Sequence, residues 1–80
     1  MRHHMNFPLA ELEAGQTGII CAIHAGEELH HRLSALGFRV GKPLQIMRRG
    51  CCSGPLHIRL GSTDVMMRRR DAHHIDVHLA

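Results

Sequence analysis

Tryptophan and tyrosine are absent from this chain of 80 residues, and Phe7 and Phe38 are its only aromatic side chains. Aliphatic residues and methionine must therefore fill the interior, and almost no stacking surface is left for single-stranded nucleic acid. Long apolar runs are missing too. The longest, Ile19 to Ile23, has five residues, against the roughly 20 that a membrane-spanning helix needs, so a soluble protein with no membrane span is expected. Three cysteines, two of them adjacent at Cys51 and Cys52, are not the even, spaced set of a disulfide scaffold and suit a reducing compartment. No apolar h-region follows Met1-Arg2-His3-His4, and Met5 could itself be the start. The expectation is a cytoplasmic protein without a secretory signal. Catalytic signatures are missing as well: the chain has no G-x-S-x-G, no P-loop glycine-lysine signature and no C-x-x-C, so an enzyme is not expected.

What is present begins with one short helix. Leu29, Leu33 and Leu36 stand at i, i+4 and i+7, so they share a face and are expected in the core, while His30, His31 and Ser34 point elsewhere. Ala25-Gly26 suits the turn before the helix, and Glu27 and Glu28 occupy its first turn, where carboxylates favour the exposed N–H groups. Gly37 suits the left-handed position that ends it, and Phe38 can close an apolar contact over the last turn.

The remainder reads as strands. Thr17 to His24 is the first, with Ile20 and Ile23 as core candidates and Gly18 as the sign of a bulge or bend. Pro43 begins the second, in which Leu44 and Ile46 alternate inward as far as Arg49. Leu56 to Leu60, Asp64 to Arg68 and Ile75 to Leu79 alternate in the same way, with Val65 and Met67 on one face, and Asp71 is expected to cap a short turn before the last. Before all of these, Leu9 and Leu12 fit one helical turn that plugs the core. The chain is too short for a second core: a domain of this size buries only about 60% of its unfolded surface. The fold class expected is mainly β, a small barrel of about five strands with one inserted α-helix, a single domain over residues 1–80 with a flexible stretch at 1–6.

Nine histidines and three cysteines are the compositional anomaly, since imidazole and thiolate are the usual ligands of zinc and ferrous iron. The best local spacing is Glu27 or Glu28 with His31 on the helix, near Cys21 on the preceding strand; Cys51, Cys52 and His57 across a hairpin form a second candidate. No four ligands have the spacing of a closed structural site. Metal is therefore not required for folding, and any Zn2+ or Fe2+ is expected at the surface, where it could bridge a homodimer. The net charge of +3, carried by nine arginines and one lysine, admits a competing reading as a small basic barrel that binds nucleic acid or phosphate through Arg48, Arg49 and Arg68 to Arg70. An exposed strand exit is the plainer account of that run.

From Leu9 to Leu79 the chain resembles the FeoA family of bacterial ferrous iron uptake. The resemblance rests on Arg32-Leu33-Ser34-Ala35-Leu36-Gly37-Phe38-Arg39-Val40-Gly41, similar to the family element R-L-x-x-L-G-[FML]-x-x-G, and on Gly54-Pro55-Leu56-His57-Ile58, similar to its glycine-proline-led strand. Met67-Arg68-Arg69-Arg70-Asp71-Ala72-His73-His74-Ile75-Asp76-Val77 is similar to its ending L-R-x-x-[DE]-A-x-x-I-x-V. The resemblance implies an SH3-like β-barrel and a cytoplasmic accessory protein that docks on the membrane GTPase and iron transporter FeoB, with no reaction of its own. Similar domains also end metal-dependent repressors, so fold alone does not decide the function. The docking residues expected are outward positions of the helix and its exit: His30, Ser34, Phe38 and Arg39.

Overall fold

The structure, a computed structural model, describes residues 5–80, so residues 1–4 of the stretch expected to be flexible lie outside the described residues. The elements run in order β1 (Phe7–Pro8), a 3-10 turn (Leu9–Glu11), β2 (Thr17–Ile23), α1 (Glu27–Leu36), β3 (Pro43–Arg49), a tight turn (Cys51–Ser53), β4 (Leu56–Leu60), β5 (Thr63–Met67), α2 (Arg69–Ala72) and β6 (Ile75–Leu79). All six strands pair antiparallel in one sheet of order β1-β6-β2-β3-β4-β5. The strand beyond the five expected is β1, whose two residues are too few to show alternation.

Period-two patterning fills the core. Ile20, Leu44, Ile46, Leu56, Ile58, Leu60, Val65, Met67, Ile75 and Val77 are all buried, from five strands of the coiled sheet. Leu9 and Leu12 close the bottom at 0% exposure, as a plug should, and α2 packs on the same turn through buried Ala72. The ladder itself does not close, because β1 and β5 stand at its two ends. Among the described residues β5 therefore keeps a free edge.

Two register shifts decide where side chains go. In β2 against β6 the shift falls between Ile20 and Ala22, so Cys21 and not Gly18 is at the bulge. Gly18 serves a close approach instead: a Cβ there would lie 3.0 Å from Leu12 Cδ1 and 3.2 Å from Val77 Cβ. The bulge lets Ile20 face in opposite Val77 and Ile23 face in opposite Ile75, leaving Cys21 and Ala22 on the outer side with Asp76. In β3 against β4 the shift falls between Ile46 and Arg48. Arg49 then stands opposite buried Leu56 and turns inward at the barrel end, which unbroken alternation would not allow.

The helix stop is as expected. Gly37 has φ +105°, its N–H donates to Ser34 O, and Phe38 N–H donates back to Leu33 O at 3.0 Å, the six-to-one bond of a Schellman motif. That geometry folds Phe38 over Leu33, and both are buried, at 1% and 2% exposure. Two placements are corrected by it. Phe38 is a core anchor and not an outward docking residue, and Leu36, assigned to the core, is 46% exposed because no described residue covers the side of α1 that looks toward β5. Asp71 is a third correction: it lies within α2 rather than capping it, and Arg68 precedes the helix with no side-chain cap.

Candidate functional site

Between α1 and the β5 edge runs a groove of about 360 Å3. Leu29, Arg32, Leu33 and Leu36 line it from the helix, a stripe at i, i+3, i+4 and i+7, and Val65, Met66 and Met67 line it from the strand. Its floor is apolar. The outer lip carries Leu36 and Met66, the latter 64% exposed, while Arg32, Arg68 and Asp71 supply the polar rim, with Arg32 Nη2 3.8 Å from Asp71 Oδ2. An exposed pair at that distance holds the wall only weakly. Of the docking residues expected from sequence, His30 and Ser34 are exposed but lie further round α1 than the groove stripe, and Arg39 is exposed just past the helix. The stripe is legible, but it reads as core until the strand order shows that no described residue lies over it.

On the opposite side, the outer face of β2 and β6 gathers a polar cluster that sequence reasoning missed. Cys21 Sγ lies 2.8 Å from His78 Nδ1 and donates toward Asn6 Oδ1 at 3.3 Å, and His24 Nε2 lies 2.9 Å from Asp76 Oδ2. Burial and then the Asp76 carboxylate push the Cys21 thiol above its ordinary range, against an opposing contribution from the His78 backbone.

The expected metal set is not assembled. Cys21 turns along the ladder toward His78, whereas Glu27, Glu28 and His31 are exposed on α1, after the chain has reversed at Ala25-Gly26. Cys51 and Cys52 are adjacent and exposed, but His57 is directed to Asp64, Nε2 to Oδ2 3.2 Å. Among the described residues no three His, Cys, Asp or Glu side chains are placed to hold one metal ion. The bidentate contact from Arg59 and the contact from His57 hold the Asp64 carboxyl down at about 2.

Nor do the arginines form one free patch. Arg49 donates from one guanidinium nitrogen to Ala10 O at 2.9 Å and to Leu12 O, tying β3 to the plug. Arg69 donates to Gly54 O and Gly50 O, each at 3.0 Å, so it is not part of a solvated strand exit. Arg48, Arg68 and Arg70 remain exposed.

The FeoA domain family matches residues 7–79. A Campylobacter jejuni chain carrying the name Fe(2+) transport protein A is 32% identical over 71 residues, which cover 89% of this chain and 96% of that one. A crystal structure of an iron uptake regulatory protein, FeoA, superposes with a TM-score of 0.88 at 25% identity, over 95% of this chain and 100% of the other. A zinc complex of Stenotrophomonas maltophilia FeoA, described as a prokaryotic SH3 domain protein, matches with a TM-score of 0.77 at 25% identity, over 89% of this chain and 88% of its own. Among the described residues no helix is long and apolar enough to cross a membrane.

Proposed function

We propose, on the premise that this chain belongs to the FeoA family and so takes part in ferrous iron transport, that it is a non-enzymatic accessory protein that docks on the cytoplasmic part of the transporter FeoB. The observation that carries the reading is the α1–β5 groove. Leu29, Leu33 and Leu36 with a partly exposed lip, beside a strand edge that pairs on one side only among the described residues, suit a partner segment that inserts an apolar side chain and adds backbone hydrogen bonds to β5. Arg32 and Arg68 on the rim, against the single carboxylate of Asp71, favour a segment with acidic flanks.

Binding of the full chain to the isolated cytoplasmic part of FeoB tests this. Leu36→Asp and Met66→Asp should each weaken binding at least about tenfold, as loss of an anchor does, and leave the thermal melt unchanged. Binding that survives both variants would overturn the groove. The nucleic-acid reading is the weaker one, because Arg49 and Arg69 are committed to backbone carbonyls; a titration with RNA and single-stranded DNA separates the two. For metal, the reading is surface-bound Zn2+ or Fe2+ that bridges two copies without supporting the fold, since a two-donor pair such as Cys21 and His78 leaves coordination positions for a second chain. Sedimentation with zinc and then with chelator, beside a thermal melt, tests that part.

A further inference from the structure

Between β3 and β4 the chain closes a small loop from Gly50 to Pro55. Gly50 N–H donates to Pro55 O at 2.8 Å, and Gly54 N–H to Cys51 O at 3.0 Å. The neck is so narrow that a Cβ on Gly50 would lie 2.8 Å from the carbonyl carbon of Gly54, so only glycine fits. From α2, the Arg69 guanidinium bridges the Gly50 and Gly54 carbonyls. Two glycines and one arginine thus fix the base, and the exposed part of the loop presents two cysteines.

Their arrangement is not what adjacency alone produces. Neighbouring side chains on extended chain point to opposite sides, yet here the two Sγ atoms are 2.9 Å apart. The conformation responsible is Cys52 at φ 55° and ψ 49°, the one non-glycine residue with positive φ among the described residues. That region is sparsely populated by any residue with a Cβ, and strain of this kind collects where a group must be aimed. Packing does not explain it, because both side chains are exposed.

We propose that Cys51 and Cys52 form a reactive dithiol that a peroxide oxidises to an intrachain disulfide. One thiolate attacks a peroxide oxygen; the O–O bond breaks, the departing oxygen leaves as water with the thiol proton, and the sulfur becomes a sulfenic acid. The neighbouring thiolate attacks that sulfur, the S–S bond forms, the S–O bond breaks, and the hydroxide leaves as a second water with the second thiol proton. Two thiols and one hydrogen peroxide give one disulfide and two waters: the sulfurs lose two electrons and the peroxide oxygens gain them. A cation is the poorer occupant. The loop offers two donors, and no third ligand joins them among the described residues. Cys21 is the built-in control, half-buried and already bonded to His78 and Asn6. The proposal does not depend on the docking surface.

The test treats the reduced full chain with one equivalent of hydrogen peroxide at neutral pH, quenches with an alkylating agent and reads intact and peptide masses. The expected product has lost two hydrogens, carries the disulfide on the Cys51–Cys52 peptide, is still alkylated at Cys21 and returns to three thiols with dithiothreitol. At micromolar chain concentration the intrachain product should exceed chain-to-chain disulfide by on the order of a thousandfold, because the second thiol is present at an effective concentration of about millimolar. Cys51→Ser and Cys52→Ser should each abolish it and leave the melt unchanged. Faster oxidation at Cys21, a sulfinic acid in place of the disulfide, or a chain-linked product would overturn the proposal. So would one Zn2+ per chain that stays through gel filtration and blocks the oxidation, since the loop would then be a cation site.

Discussion

Replacing Arg49 with methionine should be among the more damaging single changes at a residue that reaches the surface. The guanidinium is part-buried and donates to the Ala10 and Leu12 carbonyls, which belong to the turn whose neighbours Leu9 and Leu12 are fully buried. Methionine keeps much of the apolar stem but has no donor, so both carbonyls lose a charged partner. Hydrogen bonds to charged groups are worth roughly 1.5 to 3 kcal/mol each when buried. Water reaches this site, so each bond falls below that range, at about 1 kcal/mol, and the pair together should contribute about 2 kcal/mol. For a chain of this size each kcal/mol shifts the melting temperature by about 4 to 8 °C, so a fall of roughly 8 to 16 °C is expected. In urea the midpoint should drop by about 1 to 2 M at unchanged slope. Arg49→Lys, which supplies one point charge in place of a fork, should lose an intermediate amount. An unchanged melt with weakened binding of a phosphate polymer would refute the reasoning, because Arg49 would then belong to a solvent-facing basic patch and not to the plug.

Leu33→Ala removes a side chain that is 2% exposed and packs in the core beneath Phe38, and should cost roughly 2 to 5 kcal/mol by denaturant melt; an unchanged midpoint would remove Leu33 from the core. Gly18→Ala forces a methyl group against Leu12 and Val77, with contacts of 3.0 and 3.2 Å, and should cost about 1 to 3 kcal/mol through overpacking, whereas a neutral result would mean that Leu12 swings aside freely. Asp64 titrates at about 2 in the fold because Arg59 and His57 hold it ionised, against an unfolded value near ~3.9. Its contribution is complete above the unfolded value and is lost as pH falls through about 2, so urea midpoints measured across that window should decline less for Asp64→Asn than for the natural chain; parallel curves would show that Asp64 is not a linked group.

Much of this protein was readable without coordinates because the signals are local. The alternation in β3, β4, β5 and β6 needs only neighbouring residues, and it placed Leu44, Ile46, Val65 and Met67 correctly inward. The Gly37 stop needs only the rule that an L side chain avoids positive φ. The three motif segments that point to FeoA are likewise runs of adjacent residues.

What the tertiary structure alone decided depends on partners distant in the chain. Strand order made β5 an edge and so turned Leu36, which the helical period assigns to a core, into the lip of a groove. Two bulges that no local pattern announces put Cys21 beside His78, 57 residues away, and turned Arg49 inward toward Ala10 and Leu12. Arg69 reads as one of three exposed arginines until the loop it clamps, 15 to 19 residues earlier in the chain, is brought against α2. Periodicity assigns a side chain to a face. Only the register of the paired strand decides what that face meets, because a shift of one residue exchanges inside for outside.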